Sequence, residues 1–263
     1  MAVQTEGTPC WADATFADME AAKSFYGDVL GWTFGESSPE FGNYTQAYSN
    51  GKAVAAVAPP MPGQDDSPSG WCLYLASPDA AATAQKVRDN GGEVLLDPMQ
   101  VGDFGTMLLA RDPGGAVFGV WQADTHEGFD ATGETGAYAW SEVFTRDPAK
   151  TDTFFPAVFP YTARRMVDDA IDFKLFDVGD ATVLGRMAMT DDFPPEVPSF
   201  VMVYFAVDDC DAAVEKATKR GGTLRFGPMD SPFGRFAAVT DPTGAAFSVI
   251  DLTTTKGEMP KLS

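Results

Sequence analysis

Short apolar runs and one amphipathic helical stretch alternate in a fixed order that occurs four times along the chain. From residue 71 the order begins with Trp71-Cys72-Leu73-Tyr74-Leu75-Ala76. Ala81, Ala82, Ala84 and Val87 then fall at helical spacing, and Gly91-Gly92 ends the helix. Three strand-length segments follow. They are punctuated by Pro98-Met99, Phe104-Gly105 and Asp112-Pro113-Gly114-Gly115, and closed by Val117-Phe118-Gly119-Val120-Trp121. About 130 residues later the same order runs from Phe200 through Gly221-Gly222, Pro228-Met229, Phe233-Gly234 and Asp241-Pro242-Thr243-Gly244 to Ile250. Tyr74 then matches Tyr204, Asp79 matches Asp209, and Asp112 matches Asp241 after a one-residue gap.

Residues 7–57 read as a related unit. A strand from Trp11 to Phe16 is followed by a helix opened by Asp18, a good N-cap, with Ala21, Ala22, Phe25, Tyr26 and Val29 on one face. Gly31 ends that helix, and Asn50-Gly51 predicts a tight hairpin turn. Residues 136–190 repeat this unit at an offset of 129, with Trp140 on Trp11 and Asp147 on Asp18. This copy is degraded: Pro160 replaces Gly31, and Pro156 falls inside the expected helix, where it should kink or shorten it. Proline-rich stretches at 59–70 and 190–199 read as linkers, and the polar tail from Thr253 as frayed. Each unit is thus β-α-β-β-β. A repeat that matches in order, spacing and turn chemistry predicts an α+β chain of four βαβββ units paired into two cupped-sheet domains, at 1–124 and 133–253. The concave side of each cup is a ready ligand cavity.

Composition narrows the classes. With 44% hydrophobic residues among 263, the chain can bury real cores. Its formal net charge of −20 excludes a basic footprint for nucleic acid or an anionic membrane and tolerates a cationic ligand. Cys10, Cys72 and Cys210 are odd in number and far apart, with no CxxC pair; they fit neither a zinc site nor a disulfide framework, and suit a reducing cytoplasm. The first six residues lack the marks of a secretory signal, and no apolar run reaches membrane-spanning length. The single histidine, His126, sits in the polar stretch between the halves and reads as solvated surface.

The opening strand-Asp-helix-Phe-Tyr-x-x-x-Leu-Gly (Trp11 to Gly31), the strand-Asp-helix-Gly-Gly stretch and the Phe-Gly…Asp-Pro-x-Gly-x-x-Phe close resemble the vicinal oxygen chelate superfamily. That superfamily holds the glyoxalases, bleomycin-resistance proteins and extradiol dioxygenases. The resemblance implies the cupped fold in tandem. It also implies metal ligands in the enzymes: His, Gln or Glu early on the first strand of a unit and Glu on the last. Those positions fall here on Trp11, Cys72 and Gly119, and on Trp140, Met202 and Ser248. None is a histidine or carboxylate, so neither half offers the nitrogen and oxygen set a divalent catalytic metal takes, and no metal or other cofactor is expected.

On a strand, residues i and i+2 share a face. The first cup should therefore hold Trp11, Asp13, Cys72, Tyr74, Gly119 and Trp121. The second should hold Trp140, Glu142, Met202, Tyr204, Ser248 and Ile250. An aromatic wall stacks on planar rings and attracts cations, while the carboxylate pairs with an amine or takes a proton. The competing reading is that these aromatics simply fill closed cups, with a tyrosine hydroxyl on the acid. Cys72 has no nearby cation or histidine in sequence and reads as an inert thiol. The leading expectation is a metal-independent binder of a hydrophobic, aromatic small molecule, cationic or neutral, serving natural-product sequestration or self-resistance as the bleomycin-resistance members do. The first alternative is a metal-independent tailoring enzyme with Asp13 or Glu142 as base and Tyr74 or Tyr204 as acid or oxyanion partner. The second is a metal-dependent glyoxalase- or dioxygenase-like enzyme. A monomer and a homodimer, with units paired within or between chains, both fit.

Overall fold

The computed structural model describes residues 4–61, 69–168 and 171–263. Most of the proline-rich stretch at 59–70 therefore lies outside the described residues. The first half is built from β1 (Pro9–Thr15), α1 (Met19–Leu30), β2 (Thr33–Phe34), β3 (Thr45–Ser49) and β4 (Lys52–Ala58). It continues with β5 (Gly70–Ala76), α2 (Ala80–Asp89), β6 (Glu93–Val101), β7 (Gly105–Arg111) and β8 (Val117–Ala123). The second half repeats the order with β9 (Tyr138–Thr145), α3 (Pro148–Val158), β10 (Thr162–Arg165), β11 (Phe173–Val178) and β12 (Ala181–Ala188). It closes with β13 (Phe200–Ala206), α4 (Cys210–Lys219), β14 (Thr223–Ser231), β15 (Gly234–Thr240) and β16 (Ala246–Asp251).

Local chemistry explains the repetition. Each helix starts at an aspartate whose side chain accepts a hydrogen bond from the backbone N–H three residues on: Asp18 from Ala21, Asp79 from Ala82, Asp147 from Lys150 and Asp209 from Ala212, at 2.9–3.2 Å. Asn50 and Gly51 both take positive φ, as the two-residue hairpin between β3 and β4 requires. Pro156 does not break α3: only two helical residues follow it, so just one internal hydrogen bond is forfeited, and the Phe159 N–H still donates to the Phe155 carbonyl.

Each half forms one eight-stranded sheet, ordered β2-β3-β4-β1-β5-β8-β7-β6 and β10-β11-β12-β9-β13-β16-β15-β14. The two units of each half join through the antiparallel pairs β1/β5 and β9/β13, so the pairing is made within the chain. Both sheets curl. Laid flat, eight strands at about 4.8 Å spacing would put the edges about 34 Å apart. In the first sheet, however, Phe41, from the turn between β2 and β3, touches Phe104, from the β6/β7 turn, with ring centroids 5.2 Å apart. In the second sheet the tail after β16 ties the edges together. Lys256 N–H donates to Ser231 at the tip of β14, and Lys261 and Ser263 pair with Val167 and Arg165 at the end of β10. The tail is therefore held as an added strand at its end, because an open sheet edge offers backbone partners that its polar sequence does not advertise.

The two convex faces share one core. Trp32, Trp71 and Phe205 meet at its centre, with ring centroids 4.9–5.8 Å apart. The helices interlock across it, α1 with α4 and α2 with α3. Polar anchors cross as well. Trp71 Nε1 donates to Tyr26 OH (3.0 Å), which donates to Asp241 in the Asp-Pro-Thr-Gly turn of the other half (3.1 Å). Reciprocally, Thr151 of α3 donates to Asp112 in the turn of the first half (2.6 Å). Tyr26 and Asp241 are both buried, so the removal of one partner leaves the other without solvent. Tyr26→Phe should therefore lower stability by about 1–3 kcal/mol. Urea unfolding should show it as a lower midpoint with unchanged slope, and as a single transition by both fluorescence and circular dichroism.

Candidate functional site

With the convex faces spent on each other, the concave faces are left for chemistry. In the first cup the strand register sets Asp13 opposite Cys72, Trp11 opposite Tyr74 and Tyr74 beside Gly119, with Trp121 next along β8. All six residues expected there share one apolar surface. In the second cup Glu142 stands opposite Met202, Trp140 opposite Tyr204, and Tyr204 beside Ser248, with Ile250 on the same face.

Each cup holds its carboxyl by the same logic. In the second, Trp140 Nε1 donates to Glu142 Oε1 (3.1 Å) and Tyr204 OH to Oε2 (2.9 Å). Burial raises the Glu142 carboxyl to about 7, against the pull of those two donors. In the first, Trp11 Nε1 donates to Tyr44 OH (2.7 Å), which donates to Asp13 (3.1 Å). Burial lifts Asp13 to about 6, with the Tyr44 and Tyr74 hydroxyls opposing. Tyr44 was not among the expected residues. Its signal was present in the alternation of Tyr44, Gln46 and Tyr48 with Thr45, Ala47 and Ser49 along β3. At the matching place of the second cup stands Phe173, which has no hydroxyl, so the longer Glu142 is reached by Trp140 directly.

His126 is not solvated surface. The linker between the halves runs into the first cup, where the His126 ring packs edge-on to Trp11 at 4.5 Å and lies 5.8 Å from Trp121. Trp121 Nε1 donates to the His126 carbonyl (2.8 Å), Phe129 packs on Trp11 at 5.5 Å, and Phe129 N–H donates to Cys10. Burial lowers the imidazole's affinity for a proton, and Nε2 is buried without a partner among the described residues. A polar composition describes a linker's solubility, not its path, and two tryptophans offer apolar surface to any ring that reaches them.

A divalent metal does not fit the residues at the family's ligand positions. A Cβ at Gly119 would lie 2.3 Å from the Tyr74 ring, so the tyrosine occupies the space any ligating side chain would need. The Trp11 and Trp140 indoles are donors already engaged, and burial with the neighbouring Asp13 charge pushes the Cys72 thiol up, away from a thiolate. Met202 and Ser248 supply a thioether and a neutral hydroxyl. No cluster of three or more His, Cys, Asp or Glu among the described residues is placed to hold a metal ion. A cleft of about 180 Å³ opens beside Gln4, Ser77 and the first-cup Trp121; another, of about 610 Å³, is polar and lined by Asp208, Asp211, Arg235 and Asp251.

The raised Glu142 carboxyl makes a stability forecast. The unfolded chain loses that proton near 4.5 and the folded one near 7, so between those values the folded state holds the extra proton. The wild-type melting temperature should fall relative to that of Glu142→Gln as pH rises through that window, and run parallel to it above about 7. Parallel curves throughout would mean that the carboxyl titrates normally.

The model of the Glyoxalase/Bleomycin resistance protein/Dioxygenase superfamily matches residues 11–120 and again 136–249. The chain is 40% identical over 250 residues to a protein named putative glyoxylase CFP32 of Mycobacterium bovis, covering 93% of this chain and 95% of the relative. It is 36% identical over 259 residues to the anthracycline biosynthesis protein DnrV of Streptomyces peucetius, covering 94% of each. Among solved structures it resembles in fold an Mn(II)-bound glyoxalase from Novosphingobium aromaticivorans, with a TM-score of 0.64 at 16% identity, covering 97% of this chain and 87% of that one. It likewise resembles the 2,3-dioxygenase LapB of Pseudomonas, with a TM-score of 0.64 at 13% identity, covering 99% and 95%. No helix among the described residues is long and apolar enough to cross a membrane. With both repeats matched and homologues aligned along nearly its whole length, the chain belongs to the glyoxalase/bleomycin resistance protein/dioxygenase superfamily.

Proposed function

We propose that this protein binds a hydrophobic, aromatic small molecule without a metal or other cofactor, to sequester or carry it in a natural-product setting. The observation that carries this reading is the composition of the concave faces. Each presents tryptophan and tyrosine around one carboxyl that the protein itself hydrogen-bonds from an indole or a phenol. Such a wall stacks on planar rings, and the carboxyl orients the ligand through a polar group. The ligand contacts come from Trp11, Asp13, Cys72, Tyr74, Gly119 and Trp121 in one cup, or from Trp140, Glu142, Met202, Tyr204 and Ser248 in the other. The relatives named for anthracycline biosynthesis support a natural-product ligand. The protein works in the cytoplasm, as a monomer or homodimer, with neither nucleic acid nor membrane as partner.

One observation favours a second reading, a metal-independent tailoring enzyme. A carboxyl titrating at about 7 beside a tyrosine hydroxyl is poised to take a proton from a bound substrate, with the phenol stabilising the oxyanion that results. Asp13 with Tyr74 would play those parts in the first cup. Native mass spectrometry with a panel of planar aromatic compounds separates the two. A binder retains a compound and releases it unchanged in mass and in chromatographic mobility; an enzyme releases a product altered in one or the other. Retention of none of the panel would overturn the reading of an aromatic pocket.

A further inference from the structure

The two cups share a buried centre, Tyr74 in one and Tyr204 in the other, but differ around it. The first is closed. Phe41 and Phe104 touch across its mouth, and His126 and Phe129 from the linker sit on Trp11. Trp11, Tyr74 and Trp121 keep 8% of their surface or less. In the second cup Trp140 is half-buried, and Phe233, which occupies the place of Phe104, is 50% exposed against 40% for Phe104.

The repeat also shows what the second cup has gained. At matched positions Thr15, Tyr44, Gly70, Leu96 and Met107 of the first half become Phe144, Phe173, Phe200, Phe226 and Phe236. A closed core gains nothing from a phenylalanine left in water, yet Phe226 is 52% exposed where the matching Leu96 is half-buried; Met229, on the same strand, is 42% exposed, as its match Met99 is at 40%. Phe144 and Phe200 lie parallel, with centroids 4.9 Å apart and planes within 1°, and Phe226 leans on Phe236 at 6.0 Å. A Cβ at Gly185 would lie 2.8 Å from both Glu142 and Phe173, so the glycine is what lets the carboxyl and that ring meet in the wall. Glu142 makes no ion pair with lysine, arginine or histidine among the described residues. Its two oxygens each accept one hydrogen bond and keep a lone pair free.

We propose that the ligand site is the second cup alone, one per chain, and that its ligand is a planar polycyclic aromatic bearing a protonated amine that pairs with Glu142. This rests on the reading of the protein as an aromatic binder. The phenylalanine floor supplies stacking area, the uncompensated carboxyl selects the cation, and the −20 net charge raises the local cation concentration. The first cup serves as a structural plug for the linker.

The test compares proflavine, a cationic tricyclic dye, with acridone, its neutral counterpart, by fluorescence titration of the intact protein. The expected result is one dye per chain. Glu142→Gln should weaken proflavine at least ten-fold and acridone less than two-fold. Phe226→Ala, at a position 52% exposed, should weaken both several-fold with an unchanged circular dichroism spectrum. Trp140→Phe should remove the tryptophan quenching that Trp11→Phe retains. Two dyes per chain, or a loss of binding in Asp13→Asn with none in Glu142→Gln, would overturn the choice of cup and leave the binder reading intact. Equal effects of Glu142→Gln on the two dyes would overturn the cationic ligand. Failure of both dyes to bind the wild type, together with the rest of the aromatic panel, would remove the binder reading itself.

Discussion

Everything in this molecule depends on two curled sheets using each other to bury their convex faces. A βαβββ unit has one sheet face covered by its own helix only in part, and an eight-stranded sheet of two such units still exposes aromatic surface between the helices. Trp32, Trp71 and Phe205 fill that gap from both sides. The Asp-Pro-x-Gly turns are then bound by residues of the opposite half, Asp112 by Thr151 and Asp241 by Tyr26. A turn that looks local is therefore an interdomain anchor. Because the convex faces are committed, the concave ones are free to diverge, and the two halves have used that freedom differently.

The divergence is clearest at the positions where metal-dependent relatives place ligands. A ligating side chain and a tyrosine ring cannot share the space over Gly119, and here the ring has it. The carboxyls in the cups are raised by burial, Glu142 to about 7 and Asp13 to about 6, with a phenol and an indole donating to Glu142 and phenols opposing the rise at Asp13. A desolvated acid of this kind is an adjustable group. It can stay protonated in an empty apolar cup and ionise when a cation arrives, since the partner supplies what burial withheld.

How much of this was legible in the sequence follows from what each feature depends on. Helix starts and turns are local, so Asp18, Asp79, Asp147 and Asp209, Asn50-Gly51 and the Asp-Pro-x-Gly turns announced themselves. The strand period of two then placed Trp11 with Asp13 and Trp140 with Glu142, because alternation needs no tertiary knowledge. Tyr44, just before β3, needed the register of β3 on β4 and β4 on β1, two strands away from Asp13. His126 needed the path of a linker, and the pairing of the tail with β10 needed the curvature that brings two edges together; no local pattern encodes either. The phenylalanines of the second cup lie between these cases. Each is visible as a substitution between repeats, but its meaning appears only when the exposed side of the sheet is known.

The tail after β16 has one more consequence. Its backbone is fixed at Lys256 on the β14 side and at Lys261 on the β10 side, five residue steps apart. Even fully extended, five steps reach about 18 Å, so the tail acts as a calliper on the rims of the second sheet. The curvature of the second sheet is thus limited by contour length: its two rims cannot part beyond that reach while both ends of the tail stay paired.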